Sequence, residues 1–154
     1  MVRNALLVAF EGQEVNCFMD LSYLKLQLHR SRTLGNRTVL VVDDERSVRA
    51  LMTAIVVQDG FDALEAKNGD EALQIAANQH VDLVLTDVVM PGMSGLELVI
   101  LLKERGLVKR SLLVSGYPGD ALINSNPLKE RVPMLGKPFT AERLLAKIHE
   151  VLES

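Results

Sequence analysis

Five polar residues stand out because each ends an apolar run. Asp43 and Asp44 follow "TVLVV", Asp87 closes "VDLVLTD", Ser115 closes "SLLVS" and Lys137 follows "VPMLG". Three acids, a hydroxyl and an amine gathered in one place support a definite chemistry. Carboxylates brought together raise one another's pKa, and each close pair repels by about 1–4 kcal/mol, depending on the effective dielectric. A divalent cation removes that cost. An all-oxygen donor set favours Mg²⁺, which takes one or two carboxylates together with water and a phosphoryl group. A carboxylate beside Mg²⁺ and a lysine can act as a nucleophile toward phosphorus and give an aspartyl phosphate. Metal and ammonium neutralise the equatorial oxygens of the group in transfer, and the Ser115 hydroxyl can donate to one of them. The Pro91-Gly92 turn breaks the chain just after Asp87 and lets backbone carbonyls of "VVM" face the ion.

Taken singly, each residue has a plainer reading. Asp43-Asp44 suits the first turn of a helix, where the dipole favours acids. Asp87 can cap a turn, Ser115 can bond its own backbone at a strand end, and Lys137 can be a solvated surface charge. The chemical reading therefore depends on the elements that carry these residues to a common place.

Those elements are legible as a strand–helix alternation from Thr38 onward. "TVLVV" has the β-branched, wholly apolar character of a strand buried on both faces. Val48, Leu51, Met52 and Ile55 recur at helical spacing, and that helix stops near Gly60. "FDALEAK" is a weaker strand, and an Asn-Gly turn leads into the alanine-rich helix of "NGDEALQIAANQ". "VDLVLTD" is a strong third strand. The next helix has a capping box, Ser94 with Glu97, a staple pair in Met93 and Leu98, and a stop at Gly106. "SLLVS" and "VPMLG" read as strands four and five. In "TAERLLAKIHEVL" the apolar stripe is Leu144, Ile148, Val151 and Leu152. Between strands four and five, "GYPGDALINSNPLKER" opposes a long helix through Asn124, Ser125, Asn126 and Pro127, so one or two helical turns and an irregular link are expected.

Such alternation predicts an α/β fold: a doubly wound, flavodoxin-like sheet of five parallel strands in the order 2-1-3-4-5, with helices on both faces. In these sheets ligands bind beyond the carboxyl ends of the strands, near the switch point between strands one and three. Asp43, Asp44, Asp87, Ser115 and Lys137 all fall on that rim.

Composition narrows the classes further. At 154 residues the chain is one domain with a short appendage, able to bury roughly 68–70% of its unfolded surface. A net charge of −3 argues against a direct nucleic-acid partner, which needs clustered Lys and Arg. Cys17 is the only cysteine, so an internal disulfide is excluded and a reducing cytosol is expected. No apolar run approaches the roughly 20 residues of a membrane span, and "ALLVAF" is short for a signal core. The expectation is a soluble, cytoplasmic protein without a membrane partner. The absence of a G-x-x-x-x-G-K-[ST] loop rules out ATP binding by that route, so a phosphoryl group must come from a partner's phosphohistidine or from a small donor. His29, His80 and His149 fall outside the rim, and Met90 and Met93 read as loop packing.

The segments "VLVVDDE", "LVLTDVVMPGMSG", "LLVSGY" and "LGKPF" together resemble the receiver domain of two-component response regulators. The likeness covers about residues 38 to 153. Its spacings are 43 residues from Asp44 to Asp87, 28 more to Ser115 and 22 more to Lys137. It implies that Asp87 is the phosphoacceptor, with Asp44 a direct Mg²⁺ ligand and Asp43 an outer-sphere or second ligand. The backbone carbonyl of Val89 would complete the metal set, Ser115 would be the switch hydroxyl, and Lys137 would precede a cis proline. The implied donor is a sensor histidine kinase or phosphotransfer protein.

Two positions depart from the family pattern. Where an aromatic residue usually stands, three before the lysine, this chain has Met134, which can repack but offers no aromatic rotamer switch. Tyr117 is placed to stand in for it or to shield the phosphoryl group. Val89, two past the acceptor, cannot hydrogen-bond a hydrolytic water, which points to a slowly hydrolysing aspartyl phosphate. Output is expected through an as yet undefined downstream protein, on the face of the last two helices and strand five, since the chain ends after its last helix; transient homodimerisation through that face is compatible with this. The alternatives are a phosphorelay intermediate, a receiver excised from a hybrid kinase (which "SGYPGD" and "LGKPFTAERLLAKI" resemble), and an aspartyl-nucleophile phosphohydrolase. The last is disfavoured because such enzymes place an acid where Val89 stands, so no independent substrate turnover is expected.

Residues 1–37 form a leader ahead of the 38–154 domain. Cys17, Leu21, Leu24 and Leu28 have heptad-like spacing, while Leu24, Leu26 and Leu28 alternate as in a strand; both readings stay open.

Overall fold

The computed structural model describes residues 36–116 and 132–154. Among them strand and helix alternate: β1 (Thr38–Val42), α1 (Arg46–Gln58), β2 (Asp62–Ala66), α2 (Gly69–Asn78), β3 (Leu83–Asp87), α3 (Gly95–Glu104), β4 (Arg110–Ser115), β5 (Met134–Gly136) and α4 (Ala141–Glu153). The five strands form one parallel sheet in the order β2-β1-β3-β4-β5, the topology the alternation predicts. The leader pattern, His29, Tyr117 and the short helix expected before strand five lie outside the described residues.

Strand periodicity divides the core in two. Leu40 and Val42 of β1, Val84 of β3 and Leu113 of β4 point to one face, where Ala72 and Ala76 of α2 and Leu98, Val99 and Leu102 of α3 cover them. Val39, Val41, Leu83, Leu85, Leu112 and Val114 point the other way, onto Met52 and Val56 of α1 and Leu144, Ile148, Val151 and Leu152 of α4. Residues 39 to 42 of β1 are wholly buried, as a central parallel strand requires.

The helix ends follow local chemistry. Ser94 caps α3 in a full capping box with Glu97, whose exposed carboxyl is held below its ordinary pKa by the Ser94 N–H and hydroxyl. Gly106, at φ +65°, takes the left-handed position just past α3. Thr140 caps α4 by accepting from the Arg143 N–H. At the other end of α4, Arg110 Nε donates to Val151 O at 2.8 Å, Arg110 Nη2 to Ser154 O, and Arg37 Nη1 to Leu152 O at 3.4 Å. Two guanidinium groups thus face the negative end of that helix dipole.

Two local expectations are corrected. Leu51, placed on the buried stripe of the first helix, is 47% exposed; it lies about 100° around the axis from Met52, and Val56 takes its place in the core. Asn68-Gly69 is not a separate turn. Asn68 is itself the N-cap of α2, accepting from Glu71 N at 2.8 Å, and Gly69 is the first helical residue.

Register brings the rim together. Val42 pairs with Ala66 on one side and Thr86 on the other, Asp87 pairs with Val114, and Ser115 pairs with Gly136. Asp43 and Lys137, each one residue beyond its strand, therefore emerge beside Asp87 and Ser115.

Candidate functional site

One carboxylate oxygen from each of Asp43, Asp44 and Asp87 lies within 4.8 Å of the others. Lys137 Nζ stands against this group, 3.4 Å from Asp87 Oδ1 and 3.7 Å from Asp43 Oδ2. Ser115, 2% exposed, ends the neighbouring strand, and its carbonyl accepts the Lys137 N–H at 2.7 Å. The Lys137-Pro138 peptide is cis. Val89 follows on the open side, 53% exposed. Met134, opposite Leu113 in the ladder, packs partly buried against the α2–α3 side of the core.

The electrostatics are those of acids held out of water. Asp43 is 1% exposed. Its Oδ1 accepts the Glu45 N–H at 2.9 Å, whereas its buried Oδ2 has no hydrogen bond, Lys137 being too distant to make one. Burial pushes the Asp43 carboxyl above the ordinary carboxylate range; the Glu45 N–H and Lys137 offset this only in part, and Asp44 adds repulsion. Asp87 is raised for the same leading reason, with Lys137 opposing and Asp43 reinforcing the shift. A buried anionic oxygen without a donor is costly unless a cation meets it. Mg²⁺ takes oxygen ligands and keeps several waters, so a three-carboxylate set of this spread suits one ion bound directly by some members and through water by others. The residues fit the metal.

The remaining titratable candidates lie elsewhere. His80 Nε2 pairs with Asp82 Oδ1 at 3.0 Å on the surface. His149 Nε2 meets Asp59 Oδ2 at 2.6 Å, its ring 5.5 Å from that of Phe61, joining α4 to the end of α1. Met90 is buried core and Met93 packs against it.

Several supporting residues have no sequence signature. Arg49 Nη1 donates to the Asp43 carbonyl at 2.7 Å, fixing the loop between β1 and α1. The Asp87 carbonyl accepts from Thr86 Oγ1 at 3.0 Å, and the Gly95 N–H donates to Val88 O at 2.9 Å. Helical spacing places Arg49 one turn into α1, but nothing in the pattern says that it reaches back.

An open parallel sheet with an acid cluster and a lysine at its switch point defines a class, and comparison gives the family. The response regulator receiver domain model matches residues 39–149, and the chain belongs to that family. It is 36% identical over 121 residues to the sensor kinase CckA of Brucella abortus, covering 77% of this chain and 13% of that one. It is 27% identical to the sporulation initiation phosphotransferase F of Bacillus subtilis, over 76% of this chain and 94% of that protein. The response regulator TrrA of Thermotoga maritima, crystallised with Mg²⁺-BeF, superposes with a TM-score of 0.66 at 28% identity, covering 75% of this chain and 98% of that one. The chain spans only 18%, 13% and 10% of the length of the sensor kinases CqsS, CckA and LuxN, to which it is similar. It is thus a receiver domain homologous to the phosphoacceptor domains of kinases and response regulators. Receiver domains bind Mg²⁺ at an acidic pocket, and the Asp cluster has that composition. Among the described residues no helix is long and apolar enough to cross a membrane.

Proposed function

We propose that Asp87 accepts a phosphoryl group from a phosphohistidine, within a receiver domain spanning residues 38–154 that follows a separate leader. Asp43, Asp44, Asp87 and the Val89 carbonyl would hold Mg²⁺, which would supply positive charge against the negative charge of the incoming phosphoryl oxygens. A carboxylate oxygen of Asp87 forms the new bond to phosphorus as the phosphorus–nitrogen bond of the donor imidazole breaks; the bonding pair leaves with the ring nitrogen. Lys137 neutralises charge on the transferring oxygens from the other side, and Ser115 donates its hydroxyl to one of them. The observation that carries this reading is the buried Oδ2 of Asp43, without a hydrogen bond among the described residues, set among three converging carboxylates beside Lys137.

Similarity to a sensor kinase and to a phosphotransferase supports donors of the sensor kinase or phosphotransfer class, and the match to nearly the full length of the sporulation phosphotransferase supports a relay role. Output passes to a downstream protein without direct nucleic-acid or membrane contact, and transient pairing of two copies is compatible with it. Val89, where a phosphohydrolase needs an acid, argues against turnover of an independent substrate. The test is incubation with Mg²⁺ and a radiolabelled acyl phosphate. Wild type is expected to take up label and Asp87→Asn to take up none; label retained by the variant would overturn the assignment.

A further inference from the structure

The main chain of Asp87 is held by contacts other than those of its carboxylate cluster. Thr86 is fully buried and its hydroxyl spans forward to the Asp87 carbonyl at 3.0 Å. The first residue of α3, Gly95, lies against the same carbonyl. A Cβ at Gly95 would fall 1.9 Å from Asp87 O, 2.9 Å from Asp87 C and 3.1 Å from Thr86 Oγ1. No side chain fits there. The contact is closed by the Gly95 N–H on Val88 O at 2.9 Å, while Val88 N donates across to Val114 O at 2.9 Å. The two successive peptide units after the Asp87 Cα are thus held by the Thr86 hydroxyl, by β4 and by the start of a helix.

We infer that Thr86 and Gly95 are positioning residues for the phosphoacceptor: they hold the Asp87 peptide so that its carboxylate meets Asp43, Asp44 and Lys137. This rests on the reading of Asp87 as acceptor. The Asp87 carboxylate is carried on this peptide and accepts the Val88 N–H of the same unit on Oδ1 at 3.1 Å, so it follows the tilt of its main chain. Displacement of a reacting group by about 1 Å can cost 10²-fold in rate. The Thr86 hydroxyl matters because, in a buried site, the carbonyl it serves would otherwise lose a donor. Valine keeps the shape of threonine and removes only that donor, whereas serine keeps it.

The experiment measures two quantities on Thr86→Val, Thr86→Ser and Gly95→Ala: Mg²⁺ affinity of the unphosphorylated protein by calorimetry, and the rate of labelling by a radiolabelled acyl phosphate. Thr86→Val is expected to weaken Mg²⁺ binding and slow labelling, each by about fivefold, the equivalent of one lost hydrogen bond. Thr86→Ser is expected to restore both. Gly95→Ala should lose about 10²-fold in labelling. If Thr86→Val does not fold, Thr86→Ala is read against Thr86→Ser in its place. Wild-type values in a folded Thr86 variant lacking the hydroxyl, or a Thr86→Ser no better than Thr86→Val, would overturn the inference. Asp87→Asn runs alongside. If it still labels, the acceptor reading has failed; if it does not label while the hydroxyl-free variant matches wild type, only the positioning role has failed.

Discussion

Lys137 Nζ lies 3.4 Å from Asp87 Oδ1 across a sequence separation of 50 residues. The pairing follows from register alone: Asp87 faces Val114, the next residue Ser115 faces Gly136, and Lys137 is one step further. The lysine has two effects of opposite sign, since it steadies an anionic phosphoryl group and repels a cation. Lys137→Met is therefore expected to cut labelling by an acyl phosphate by about 10²-fold, as loss of a charge stabiliser does. Calorimetry on the unphosphorylated variant should show tighter Mg²⁺ binding. Unchanged labelling with weaker Mg²⁺ binding would refute this.

The raised pKa of Asp87, caused first by burial, fixes a pH dependence. The folded state holds its proton more tightly than the unfolded chain, so between the two pKa values stability falls as pH rises. At neutral pH without Mg²⁺ the fold therefore carries a disfavoured charge, and Asp87→Asn removes it. The variant is expected to be more stable by on the order of 1 kcal/mol in urea denaturation with a chelator present. The gain should shrink as pH falls through the folded pKa, and added Mg²⁺ should favour wild type, which has the full ligand set. A variant less stable than wild type at neutral pH would contradict this.

Val89 is 53% exposed, and its aliphatic side chain has no group to hydrogen-bond a water near the acceptor. Val89→Asn is expected to speed loss of label from the phosphorylated protein by about fivefold, the rate equivalent of one water-orienting hydrogen bond. Dephosphorylation at the wild-type rate would remove Val89 as the brake.

Ser111, opposite Val84 in the β3–β4 ladder, is 2% exposed, and its hydroxyl has no hydrogen-bond partner among the described residues. Deleting an unsatisfied buried group relieves its desolvation cost. Ser111→Ala is expected to leave the thermal midpoint unchanged or to raise it by a few degrees, ~1 kcal/mol at most. A loss of that size or more would show that the hydroxyl is in fact served.

The sequence was most informative where one local rule decides. The Ser94–Glu97 capping box and the stripe of Leu144, Ile148, Val151 and Leu152 stand where they were read, because helix periodicity and cap chemistry involve only near neighbours. The gathering of Asp43, Asp44, Asp87 and Lys137 was legible through topology, since a parallel sheet puts all strand ends on one rim. Leu51 was misplaced because i, i+3 spacing alone does not say which edge of a stripe the sheet will cover. The grips on Asp87 by Thr86 and Gly95, and on Asp43 by Arg49, left no trace in the pattern. They are contacts to main-chain carbonyls, which every residue has, and only three-dimensional proximity selects them.

β5 contributes three residues to the ladder, at the outer margin of the sheet, and Lys137 rides directly on its end. The acids stand at the ends of two interior strands, β1 and β3. The cation of the site thus hangs from a short edge strand paired on one side only, while the anions follow strands paired on both sides. Loss of the β4–β5 pairing alone would separate the ammonium from its carboxylates, since no other strand pairing carries Lys137 to them.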